Sequence, residues 1–110
     1  MGRGSHRSVA GVTEVALGPR AVADLRAARD HHDSARHGLG RRLDDALDEV
    51  FSRLEAFPRS APLVAGYTDV RRAVVRGFPH VVFYRHRPDW IDVLRILHAA
   101  RSHAEGSGLT

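Results

Sequence analysis

Residues 70–101 hold seven arginines, Arg71, Arg72, Arg76, Arg85, Arg87, Arg95 and Arg101, against two acids, Asp89 and Asp92. A guanidinium group stays charged and presents a planar fork of donors that fits phosphate and carboxylate oxygens. Tyr84, His98 and His103, set among these arginines, are groups that can move protons. Together they are the parts needed to cleave RNA through its own 2′-hydroxyl: a base, an acid and a cation facing the pentavalent phosphate. Arg72, Arg76, Arg95 and Arg101 are the candidate cations, and Tyr84, His98 or His103 the proton carriers. The same arginines alternate with Val and Ile, a pattern that equally suits docking of a partner with apolar anchors and acidic surroundings.

Other chemistries have less to stand on. His31, His32 and His37 with Asp33 invite a zinc site, but their spacing follows no established ligand pattern and the chain has no cysteine. No metal and no cofactor is expected. The serines sit in no Gly-x-Ser-x-Gly elbow. Gly38-Leu39-Gly40 opens a helix but follows another helix, unlike a phosphate-cradling loop, which follows a strand. All seventeen basic residues are arginine, so amine chemistry is closed to this chain.

At 110 residues the length suits one domain with a single modest core. A net charge of +4 favours an anionic partner. Absence of cysteine suits a reducing cytoplasm. No apolar run approaches the roughly 20 residues that cross a bilayer, so no membrane partner is expected. Residues 1–8 read as a disordered leader without an apolar segment, 9–103 as the domain and 104–110 as a flexible tail.

The elements that must position the arginines follow from periodicity. Residues 12–17 form a first strand with Val15 and Leu17 on one face, and Gly18-Pro19 starts a helix. Ala21, Leu25, Ala28 and His32 share one stripe of that helix, which loosens at 31–37 and breaks at Gly38. The second helix carries the strongest signal: Leu39, Leu43, Leu47, Val50, Leu54 and Phe57 recur at helical spacing until Pro58. A loop of ten residues, 59–68, leads to strands at 69–76, 80–87 and 91–99, separated at Gly77-Phe78-Pro79 and Arg87-Pro88-Asp89. Alternation groups Arg72, Val74 and Arg76 against Arg71, Ala73 and Val75. It groups His80, Val82, Tyr84 and His86 against Val81, Phe83 and Arg85, and Ile91, Val93, Arg95 and Leu97 against Leu94, Ile96 and His98. The expected fold is α+β in the order β-α-α-β-β-β, a helical hairpin packed on a small, mostly antiparallel sheet with one mixed Arg-and-apolar face.

In this order, the blocks Gly38-Leu-Gly-Arg-Arg-Leu43, Asp69-Val-Arg-Arg-Ala-Val-Val-Arg-Gly-Phe-Pro-His-Val-Val-Phe-Tyr-Arg85 and Val93-Leu-Arg-Ile-Leu-His-Ala-Ala-Arg101 resemble the ParE/RelE superfamily of bacterial type II toxins, over residues 12–103. The resemblance implies a compact toxin, linked with growth inhibition and plasmid stabilisation, that a cognate antitoxin neutralises by wrapping its C-terminal segment around it. It implies one of two activities, or a degenerate member that only binds its antitoxin or represses transcription. RelE-like members cleave mRNA on the ribosome, and that reading assigns catalysis to Arg72, Arg76, Tyr84, His98 and Arg101. ParE-like members bind DNA gyrase and are not nucleases. Val74 and Val81 stand where the nuclease branch sets basic residues, and the long second helix and the Leu97-His-Ala-Ala-Arg101 ending look more like the ParE branch. Antitoxin or target binding is then expected at Arg72, Val74, Arg76, Tyr84, Arg85, Arg95, Leu97 and Arg101.

Overall fold

Gly18 lets the chain turn from strand to helix against the sheet: its N–H donates to the Val93 carbonyl at 3.0 Å, and a Cβ there would meet that oxygen at 3.3 Å. The computed structural model describes residues 14–100. Strand β1 (Glu14–Leu17) leads through Gly18 into α1 (Pro19–Ala35), followed by α2 (Leu39–Ala56), β2 (Val70–Val74), β3 (His80–His86) and β4 (Trp90–His98). The expected β-α-α-β-β-β order is therefore what forms. Helix α1 continues through His31 to Ser34, where the apolar stripe loosens, because the last turn is held by partners rather than by periodicity.

The turn between the helices shows how. Gly38 at φ 84° reverses the chain in the left-handed region and has no side chain to cap α2. Asp33, on α1, takes over: its Oδ1 accepts the Gly40 N–H at 2.8 Å, a carboxylate at a helix N-terminus. A Cβ at Gly40 would fall 2.8 Å from the same carboxylate, so a larger residue there must push the capping side chain aside.

Leu43, Leu47, Val50 and Leu54 are buried along α2 and meet Ala73, Val75, Val82, Tyr84, Ile91, Val93 and Ile96 from the sheet. Phe57, the last member of the sequence stripe, does not join them. It lies just past the helix end, outside helical geometry, and is 65% exposed.

The sheet order is β1-β4-β3-β2, with β1 parallel to β4 and the other pairs antiparallel. Simple alternation fails in β4. Tyr84 pairs with Val93 and Phe83 with Arg95, which leaves Leu94 as an extra residue in a bulge. The bulge reverses the facing, so Ile91, Val93 and Ile96 all reach the helix-side core, while Leu94 and Leu97 pack on the outer face. That outer face is not the open Arg-and-apolar surface that alternation implies. Val70, Val81, Phe83 and Leu97 are buried there, with Val64 and Tyr67 of the 57–69 loop packed against them.

Just beyond the bulge, β1 has ended and the β4 edge would be bare. Asp24 of α1 fills the gap. Its Oδ2 accepts the Ile96 N–H at 3.0 Å and Arg95 Nε at 2.7 Å, and its Oδ1 accepts Arg95 Nη2 at 2.9 Å. The two side chains are 13% and 14% exposed, so the pair is well shielded from solvent screening. The hydrogen bond to Asp24 also raises the Arg95 pKa above its ordinary value. Asp24→Ala is expected to lower stability by about 2–3 kcal/mol, the scale for removing the acceptor of charge-assisted bonds, as a reduced midpoint in urea unfolding. A loss below about 0.5 kcal/mol would show that the latch contributes no more than a surface pair.

Candidate functional site

The arginines of the C-terminal strands divide by what their guanidinium groups touch. Arg95 is committed to Asp24, and Arg85 lies 3.3 Å from both carboxylate oxygens of Asp69. Arg71 donates to the carbonyls of Ala61 at 2.7 Å and Arg59 at 3.3 Å, stapling the 57–69 loop to β2. The loop backbone adds its own bonds to this edge: Arg72 N–H donates to Pro62 O, and Val64 N–H to Val70 O. Arg72 makes no ion pair among the described residues. Arg76 lies 3.8 Å from Glu49, with both side chains more than half exposed, a pair that solvent screens.

Arg72 and Val74 therefore remain on an accessible surface at the C-terminal half of β2. They line a shallow cleft of about 310 Å³ with Arg53, Leu54, Ser60 and Pro62. Val74 is 59% exposed, and its carbonyl accepts a long 3.5 Å bond from Arg53 Nη2. Leu63 and Phe57 are also exposed. Arg53, Leu63 and Phe57 were not legible as site residues: Arg53 sits on the polar side of α2, Phe57 continues the apolar stripe and reads as core, and Leu63 lies in a loop without a period.

The remaining sequence candidates lie elsewhere. Tyr84 is fully buried, its hydroxyl donates to Pro58 O at 2.8 Å, and burial pushes its pKa above the ordinary value. It is a core residue that anchors the loop, which corrects its placement on a binding or proton-transfer surface. Leu97 is 5% exposed within the outer cluster, and Val81 is 1% exposed there, so neither presents a side chain to a partner. Arg95 is withdrawn by its ion pair. His98 is exposed at the end of β4, with Nδ1 accepting the Ala100 N–H at 3.1 Å. Arg101 and His103 lie outside the described residues, as do 1–13 and the 104–110 tail.

A second concavity lies between α1, the start of β3 and the end of β4. His31, His32, His80 and His98 wall a cleft of about 490 Å³ above Ala27 and Ala28. Ring centroids are 5.5 Å apart for His31–His32, 5.3 Å for His32–His80 and 5.6 Å for His80–His98, all edge-to-face. His31 and His32 thus meet residues of β3 and β4, not Asp33, whose carboxylate caps α2. Two facts in the sequence anticipate this: His32 lies on the inward stripe of α1, and His80 alternates with Val82 and Tyr84. His80 is 7% exposed. Burial, then the proximity of His32, His98 and His31, lowers its pKa from 6.5 to about 4.

A two-helix hairpin on a four-stranded sheet, with a basic, loop-flanked edge, defines a small α+β domain. The model of the ParE toxin of the type II toxin–antitoxin system parDE matches residues 15–103, and the chain belongs to that family. Among solved structures it is similar to one described as the chromosomal ParDE toxin–antitoxin system from P. aeruginosa. The match has a TM-score of 0.68 at 20% identity, over 78% of this chain and 95% of the other. No curated protein matches the sequence.

His80 makes the fold acid-sensitive. Its folded pKa lies below the unfolded value, so between pH 6.5 and about 4 the unfolded chain holds a proton that the folded chain does not. Stability is thus full above the unfolded value, is lost as pH falls through this window and levels off below it. At about 1.36 kcal/mol per pKa unit the loss approaches about 3 kcal/mol. Urea unfolding across this range should show the decline, and His80→Phe should flatten it.

Proposed function

We propose that this protein is the toxin of a type II toxin–antitoxin pair, that it arrests growth by binding DNA gyrase in the cytoplasm, and that a cognate antitoxin neutralises it. The observation that carries a binding rather than a nuclease reading is how the arginines and Tyr84 are used. Arg72, Arg76 and Arg53 remain accessible beside exposed Val74, while Tyr84 spends its hydroxyl on Pro58 in the core. A surface of apolar anchors rimmed by guanidinium groups suits an acidic segment with Leu or Ile side chains, the chemistry expected of an antitoxin that folds on binding.

Induction of the chain alone should arrest growth, and co-expression of the adjacent antitoxin should restore it. Plasmid from arrested cells should lose negative supercoiling while cellular mRNA stays intact. Ribosome-positioned mRNA cuts with normal supercoiling would overturn the gyrase assignment. The double substitution Arg72→Glu and Val74→Asp should weaken antitoxin capture by at least about tenfold, the equivalent of about 1.4 kcal/mol, as read by isothermal titration. Tyr84→Phe separates the two readings further. It should cost about 1 kcal/mol of stability through the lost bond to Pro58 and leave growth arrest intact, whereas a catalytic tyrosine would lose it.

A further inference from the structure

The histidine cleft shares no lining residue with the cleft of Arg53, Arg72 and Val74. His32 Nε2 and His80 Nδ1 are buried there with no hydrogen-bond partner among the described residues. A buried imidazole nitrogen in this condition can be satisfied by a metal ion, or by a proton together with an acceptor. No three His, Asp or Glu side chains among the described residues are placed to hold a metal ion. An ordered water can serve the neutral ring, whereas the protonated ring needs an anion, because imidazolium has only donors to offer.

The charged groups around the cleft agree. From α1, Asp24 faces the cleft, but its oxygens are engaged by Arg95 and the Ile96 N–H. Asp33 of the same helix is engaged by the Gly40 N–H. From α2 comes Arg42 and from the β2–β3 turn Arg76, which line an adjoining cleft of about 470 Å³ that shares His32 and Pro79 with the first. Arg76 lies 3.8 Å from Glu49 of α2, which leaves Arg42 as the cation on this side without a carboxylate partner among the described residues. Asp24 and Asp33 are engaged, and β3 and β4 contribute His80 and His98. The methyl groups of Ala27 and Ala28 leave the floor of the cleft without a competing acceptor side chain.

We propose that the cleft walled by His31, His32, His80 and His98 is a proton-coupled site for a small oxyanion such as sulfate, phosphate or a free carboxylate. A proton from solvent converts a neutral imidazole to imidazolium, whose N–H donates to an oxygen of the anion. No covalent bond is made or broken. Because the unliganded cluster resists protonation, proton uptake accompanies each anion bound, and affinity rises as pH falls.

The test uses the full chain and sulfate, whose charge does not change over the range. Binding is followed by histidine side-chain resonances between about pH 7.5 and 5.5, where one coupled proton predicts a dissociation constant that falls roughly tenfold per pH unit. The His80 resonances should move toward the imidazolium position only when sulfate replaces chloride at equal ionic strength. His98→Ala, on the exposed wall, should weaken binding several-fold without loss of fold, and His80→Gln should abolish the pH slope. Sulfate affinity that is independent of pH, or that survives both histidine variants and is lost in Arg42→Gln with Arg76→Gln, would overturn the proposal in favour of ordinary arginine pairing. Zinc chloride moving the same resonances where sulfate does not would overturn it in favour of a metal site.

Discussion

The Asp24 carboxylate is where the two layers of this protein are joined. One side chain from the helical hairpin ends the exposed edge of β4, neutralises Arg95 and follows the bulge at Leu94. A parallel β1 of only four residues cannot cover that edge by itself. An unpaired backbone N–H at a half-buried edge is costly, and a carboxylate is a strong acceptor for both it and a guanidinium group. This contact, together with Ala21, Leu25 and Ala28 in the core, holds α1 over the sheet and with it the wall of the histidine cleft.

The same competition for acceptors sorts the arginines. Those near a carboxylate or a constrained loop carbonyl are held: Arg95 by Asp24, Arg85 by Asp69, and Arg71 by Ala61 and Arg59. Arg72 and Arg76, where β2 runs out past the loop, have no comparable partner in reach. The accessible basic surface is therefore much smaller than seven arginines in sequence imply, and it is concentrated beside the exposed side chains of Val74, Leu63 and Phe57. Loop 57–69 is the second determinant. By covering Val81, Phe83 and Leu97 it turns an outer face that alternation leaves open into a second core.

The histidines show the opposite limit, polar groups held without their usual solvation. Edge-to-face rings fill space as aromatics do, and with His32 and His98 packed against it His80 is only 7% exposed. A group placed there is neutral at physiological pH because charge is disfavoured by burial and by three neighbouring imidazoles. Packing and titration are coupled in this cleft, whereas the arginines along β2 hold their charge at every accessible pH.

Periodicity alone was enough for the element order, the α2 core stripe of Leu43, Leu47, Val50 and Leu54, and the turns at Gly77 and Pro88, since each depends on neighbours within a few residues. The blocks around Arg72, Phe83-Tyr84 and Leu97 were likewise sufficient to indicate the toxin family. Tertiary structure alone decided that β1 pairs with β4, that a bulge at Leu94 reverses the facing of β4, and that Tyr84 and Leu97 belong to the interior. It also decided that His31 and His32 meet His80 and His98 instead of Asp33. Each of these depends on which acceptor or apolar surface lies nearest in space. Asp24 and Ile96, 72 residues apart, are brought together only by the folded chain.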